Sequence, residues 1–144
     1  MGFKEEMSVP GTYVIYLLIA LDFLVTAHTK QFYQLIAAFA LFYAVVLPIR
    51  ITFFKNRPKK EPHHNWLSKF TANSLISIHS GRSLMLASVI IAYFSYKPAV
   101  MALGIAAVGM TCLSRYLLGK HQPIDIAAGL LAGFLIAAVV LTFV

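Results

Sequence analysis

Five long apolar stretches, parted by short polar breaks, run through almost the whole of this 144-residue chain. Nothing else in the sequence constrains the fold as strongly. A helix needs ~20 apolar residues to cross a hydrocarbon core of ~30 Å. Inside lipid the backbone must satisfy its own hydrogen bonds, which leaves helices or a closed barrel. The stretches are continuous and not alternating, so they predict helices. Hydrophobic residues make up 60% of the chain, whereas soluble domains hold ~45–50%. The expected fold class is therefore all-α: a polytopic transmembrane helix bundle of about five spanning helices, forming one domain over 1–144.

Local signals set the boundaries. The first helix is expected over 12–27, after Pro10-Gly11, and the second over 32–54, with Pro48 tolerated inside a membrane helix. A polar segment over 55–69 carries Pro58, Pro62, His63, His64 and Trp66 and is the only long loop expected. The third helix is expected over 71–96, where Lys97-Pro98 turns the chain, and the fourth over 99–118 with Gly119 as its stop. The fifth starts at Pro123, a favoured first helical position, and runs to the C-terminus. Helices that alternate in direction put the turns near His28-Lys30 and Lys97-Pro98 on one side. The 55–69 loop and the 119–122 turn then share the other. Glu5 and Glu6, with no small-residue cleavage site nearby, argue against a removable signal peptide.

The net charge of +7 does not read as nucleic-acid binding, because the basic residues flank apolar spans. Lys and Arg in such places set topology and attract anionic headgroups. Lys4, Lys55, Lys59, Lys60, Lys69 and Lys120 fall on the side of the long loop, against Lys30 and Lys97 opposite. The positive-inside rule then favours the cytoplasm for that side. Cys112 is the single cysteine, so no intrachain disulfide can form.

Three polar constellations fall on the long-loop side. Arg50 and Arg57 stand seven residues apart at the end of the second stretch, about two helical turns. Ser77, His79 and Arg82 open the third, with His79 and Arg82 neighbours on one helix face. Ser114, Arg115, His121 and Asp125 flank the last turn, where the carboxylate can reach back to the imidazole. Charge at the edge of hydrocarbon is costly unless paired or used. Arginine forks match phosphate oxygens, and a helix N-terminus after His121 adds backbone donors for the same anion. A histidine held by a carboxylate is a competent nucleophile, and a second histidine supplies general acid or base. This set suits phosphoryl transfer through a phosphohistidine without a metal or cofactor.

With those residues in place, the chain resembles the type 2 phosphatidic acid phosphatases, relatives of vanadium haloperoxidases and acid phosphatases. That family's blocks are K-x6-R-P, P-S-G-H and S-R-x5-H-x3-D. The third is complete as Ser114, Arg115, His121 and Asp125, and the first reads Arg50-x6-Arg57-Pro58 with Arg for Lys. The second keeps Ser77 and His79 but has Ile76 and Ile78 where the family has Pro and Gly. Ser77-x-His79-x-x-Arg82 is similar to the S-G-H-x-x-R of some isoprenoid-diphosphate phosphatases in the family.

The resemblance implies that His121 attacks phosphorus, Asp125 orients it, and His79 protonates the leaving oxygen. It further implies that Arg50, Arg57 and Arg115 bind the phosphate, assisted by Ser77, Ser114 and Arg82. The implied partners are the bilayer and a membrane lipid substrate, an isoprenyl diphosphate or a phosphatidate-like lipid. The family core usually has six spanning helices, one more than is counted here.

Other readings stay open at this level. A lipid phosphotransferase would use the same phosphohistidine, and a catalytically silent lipid-binding homologue would fit the altered second block. A transporter is disfavoured, because the ionisable groups gather at one boundary and form no path. His63 and His64 with His28 lack a third metal ligand at sensible spacing and read as solvated loop. Asp22 reads as pairing within the bundle, while Phe53, Phe54, Trp66 and Phe70 suit an interfacial aromatic belt. Gly129, Ala132 and Gly133 read as helix-packing contacts.

Overall fold

The computed structural model describes residues 13–56 and 73–144. Among them lie five helices: α1 (Tyr13–Val25), α2 (Thr29–Thr52), α3 (Ile78–Tyr93), α4 (Pro98–Leu117) and α5 (Pro123–Phe143). The all-α bundle expected from the apolar stretches is what forms. Arg57, Pro58, His63, His64, Trp66 and Phe70 lie outside the described residues, as do Lys4, Lys59, Lys60 and Lys69.

α3 is the hub and packs against all four other helices. Its place explains its composition. Ser80, Gly81, Arg82 and Ser83 are all buried in this helix, a polarity that lipid would penalise but that neighbouring helices shelter. The outer helices show the reverse. On α1 only Tyr16, Ala20 and Phe23 are buried, spaced to share one face, while Leu17, Leu18, Leu21 and Val25 face outward. Helices α2, α4 and α5 are long and apolar enough to cross a membrane; the described part of α1 is shorter.

Glycines set the closest approach in the bundle. Gly129 of α5 lies so near the carbonyl of Ser77 that a Cβ there would collide with backbone, and a Cβ on Gly133 would fall 2.9 Å from Gly81 Cα. A Cβ on Gly81 would in turn strike the ring of Phe42 and stand 2.9 Å from Gly129 O. Small residues at positions 77, 81, 129 and 133 thus let α3 and α5 touch backbone to backbone.

The direction of each helix is fixed by contacts at both ends. At one end Tyr93 Oη lies 2.9 Å from His28 Nε2, joining the α1–α2 turn to the end of α3. At the other, Ser77 N donates to Asp125 O at 2.9 Å, joining the starts of α3 and α5. The two ends are those expected from alternation.

One boundary differs from expectation. The third helix begins at Ile78, not near residue 71, because 73–77 form an extended strap laid across the end of α2. Ser74 N donates to Lys55 O at 2.9 Å, and Asn56 and Asn73 form an isolated antiparallel bridge. Asn73 is fully buried and its side chain accounts for the strap. Its amide nitrogen donates to Arg50 O at 2.7 Å and Phe53 O at 2.6 Å. Its amide oxygen accepts from Lys55 N at 3.3 Å and Leu75 N at 2.8 Å. All four of its hydrogen-bonding positions are filled. Ser77 then caps α3, its Oγ accepting from Ser80 N.

Candidate active site

The carboxyl ends of α2 and α4 and the amino ends of α3 and α5 meet on the strap side. The S-R-x5-H-x3-D spacing has a local physical cause here. Arg115 lies in the last turn of α4. Gly119 takes φ 64°, a left-handed value that costs glycine little. Gly119 N then donates to Tyr116 O at 2.9 Å and Lys120 N to Arg115 O at 3.1 Å, the paired closure of a Schellman motif. His121 N also donates to Arg115 O, at 3.3 Å. The carbonyl of Arg115 therefore holds the backbone of His121 directly. Four residues on from His121, Asp125 Oδ2 accepts from Gln122 N at 2.9 Å, a capping-box contact that starts α5. Stop, histidine and start occupy seven residues with none spare.

His121 is 3% exposed. Its Nδ1 lies 3.0 Å from the carbonyl oxygen of Ser74. A carbonyl can only accept, so Nδ1 carries the hydrogen of this contact, and in the neutral ring Nε2 is then the nitrogen with the lone pair. The strap thus sets the tautomer that a nucleophilic histidine needs. Asp125, 1% exposed, is engaged elsewhere: Lys55 Nζ lies 2.7 Å from its Oδ1, and Gln122 N holds its Oδ2.

The remaining expected residues fall in two groups. Arg50 is buried at the end of α2, and its Nη2 donates to the carbonyl of Asn73, one residue before the carbonyl that holds His121. Ser114 is fully buried beside Arg115 on α4. His79 is half-buried in the first turn of α3. The hydroxyl of Ser77, the cap of α3, lies 2.8 Å from Ser80 Oγ in that helix's first turn. Arg82 stands apart. It is 3% exposed, and its Nη1 donates to Tyr43 Oη at 3.2 Å, directing it between α2 and α1. Arg57 lies outside the described residues.

Lys55, Asn73 and Ser74 belong to this site and were not singled out in the sequence. In the sequence Lys55 reads only as a topology lysine. The one signal for the strap was the run Asn73-Ser74, residue types whose side chains compete for backbone bonds and favour non-helical turns.

A family model, the PAP2 superfamily, matches residues 13–144. The chain belongs to the PAP2 superfamily. The resemblance carried by Ser114, Arg115, His121 and Asp125 is to the same family. No curated protein and no solved structure matches the chain significantly. Membership in the superfamily supports phosphatase activity on phosphate esters, and three apolar helices of spanning length support an integral membrane protein.

Proposed function

We propose that this PAP2 protein is a lipid-phosphate phosphatase that works through a phosphohistidine at His121. The observation that carries the reading is the Nδ1 contact to Ser74 O at 3.0 Å, which leaves Nε2 as the only ring nitrogen able to attack. Nε2 forms a bond to phosphorus as the ester P–O bond breaks, and the electron pair leaves with the lipid oxygen. His79 supplies the proton to that oxygen. Water then attacks the phosphohistidine, His79 takes its proton, and inorganic phosphate leaves.

Charge on the phosphoryl oxygens is met by Arg50, Arg115 and Arg57, with the amino ends of α3 and α5 adding backbone dipoles. Ser114 and Ser77 line the same end. Asp125, neutralised by Lys55, holds the start of α5 and through it the turn that carries His121. In this reading no metal takes part, since arginines meet the charge that a metal would otherwise meet.

The substrate is an amphiphile whose tail lies in the bilayer and whose phosphate or diphosphate reaches this end of the bundle, an isoprenyl diphosphate first and a phosphatidate-like lipid second. The lysine asymmetry of the sequence favours the cytoplasmic face for that end. The test is phosphate release by purified protein in detergent from a panel of lipid phosphates, with His121→Ala alongside. Release by wild type but not by His121→Ala, unaffected by EDTA, is expected. Equal release by both sinks the reading, and loss to EDTA restored by zinc sinks its metal-free form. A phosphorylated alcohol in place of free phosphate would show transfer to an acceptor other than water.

A further inference from the structure

An apolar trough of about 590 Å³ opens between α1, α3 and α4. It exists because α1 and α4 both pack on α3 and scarcely touch each other. Its volume lies within the ~300–1,000 Å³ of ligand pockets. Of its described lining residues only Ser83 carries a polar side chain, and Ser83 Oγ already donates to Ser80 O at 3.0 Å. A polar ligand would find no free partner among these side chains. Hydrocarbon needs none.

The trough is aligned with the catalytic end. His79, Ser83, Leu86 and Ile90 recur at i, i+4, i+7 and i+11, the spacing of one helix face. His79 therefore heads the stripe of α3 that floors the trough, one turn above its first lining residue on that helix. On α4, Val100, Leu103 and Ala107 line the facing wall. Ser114 follows Ala107 by seven residues, about two turns along the same face. From His79 to Phe94, at the trough's far end, the chain advances ~22 Å along α3, most of the ~30 Å of a hydrocarbon core. A second recess, of about 440 Å³, lies between α4 and α5 and is lined by Cys112, Tyr116, Pro123 and Ala127 among others. No described residue of α3, the helix that carries His79, lines it.

We infer that the trough between α1, α3 and α4 holds the substrate's hydrocarbon tail, a long chain whose ester oxygen lies at His79. This rests on the phosphatase reading above and moves the tail from bulk bilayer into the protein. A tail already in lipid gains no hydrophobic free energy by entering, because lipid is as apolar as leucine. The gain is positional. A chain seated below His79 presents its ester oxygen to the imidazole, and misplacement by ~1 Å can cost ~10²-fold in rate. Long chains that fill the trough are thereby preferred over short ones that leave it part empty.

Photocrosslinking and kinetics on detergent-solubilised full-length protein test this. The probe is hexadecyl phosphonate with a diazirine midway along its chain. Labelling is expected to concentrate on Leu86, Ile90 and Leu103, and plain hexadecyl phosphonate should displace it. The same diazirine on hexadecane, without a headgroup, should not concentrate there. Labelling spread over lipid-facing residues, or gathered beside Cys112 and Ala127, overturns the proposal.

Ala107→Phe and Ile19→Trp plug the trough from different walls. Each is expected to lower kcat/KM for hexadecyl phosphate about tenfold to a hundredfold and to leave an aryl phosphate, which has no tail, unchanged. Ala127→Phe, which fills the recess between α4 and α5, should alter neither. Full activity of both plugged variants on hexadecyl phosphate overturns the tail site, as does an equal loss on the aryl phosphate. Should the plugged variants fail to fold, the labelling of wild type decides alone. Turnover of the aryl phosphate with scattered labelling removes the trough and leaves the phosphatase. Turnover of neither phosphate removes the phosphatase, while the labelling pattern still decides where the tail lies.

Discussion

Lys55 Nζ lies 2.7 Å from Asp125 Oδ1, an ion pair between residues 70 positions apart in the chain. It clamps the stretch leaving α2 onto the first turn of α5. The partners differ in environment, with side-chain exposures of 33% for Lys55 and 2% for Asp125. Removing the lysine strands a buried carboxylate. Exposed pairs are worth ~0–1 kcal/mol and breaking a buried pair costs ~3–5 kcal/mol, so this half-sheltered pair should cost roughly 1–3 kcal/mol. Lys55→Met should lower the thermal midpoint in detergent, and Lys55→Arg should recover most of it. Equal midpoints for Lys55→Met and wild type would show the clamp to be ornamental.

Asn73 is predicted to be among the most sensitive positions in the chain. Asn73→Ala leaves the carbonyls of Arg50 and Phe53 and the amides of Lys55 and Leu75 without the partners they have now. Each buried group left unsatisfied costs ~1–3 kcal/mol, with water recovering part of the loss at this end of the bundle. The strap also carries the Ser74 carbonyl that sets the His121 tautomer. Asn73→Ala should therefore depress phosphate release even at temperatures where the helical circular dichroism is intact. Full activity in a folded variant would dissociate the strap from catalysis.

What the sequence made legible was whatever a single stretch decides. Apolar runs predicted five helices, Pro98 and Pro123 marked starts, and Gly119 marked a stop, because each acts on its own neighbours in the chain. The S-R-x5-H-x3-D block was legible for the same reason: a Schellman closure and a capping box together dictate its spacing. The strap was not legible. It depends on Asn73 meeting a helix end 23 residues earlier, and an apolar run beginning at Thr71 reads as helix until that partner is known. Nor could helical spacing tell where Arg82 points. Residues three apart share a face, yet the neighbouring helix that each side chain meets is a tertiary fact, and Arg82 meets Tyr43.

Gly129→Ala should be poorly tolerated for a reason that ordinary helix propensity would miss. Alanine favours a helix over glycine by ~1 kcal/mol, so the change should stabilise α5 in isolation. In the bundle the new Cβ would meet the carbonyl of Ser77 and stand 3.2 Å from Ser77 Cβ. Backbone cannot swing aside as a long side chain can, and overpacking costs ~1–3 kcal/mol or more. A lower thermal midpoint than wild type is expected, together with weaker phosphate release, since Ser77 N is bonded to Asp125 O. A midpoint equal to or above that of wild type would show that α3 and α5 are not packed this closely.

The two histidines should differ in kind. On the proposed mechanism His121→Ala removes the attacking nitrogen, so neither turnover nor a phosphoenzyme should be seen with any lipid phosphate. On the same mechanism His79→Ala leaves the nucleophile and removes only the proton carrier, worth typically 10²–10⁴ in rate. It should retain slow attack on substrates with good leaving groups, such as an aryl phosphate, while lipid monoester hydrolysis nearly vanishes. Slow water activation should also let phosphorylated His121 accumulate in this variant, detectable by acid-labile, base-stable labelling with radioactive substrate. If His79→Ala instead keeps near-full activity on lipid monoesters, the general acid lies elsewhere and the histidine in the first turn of α3 serves packing alone.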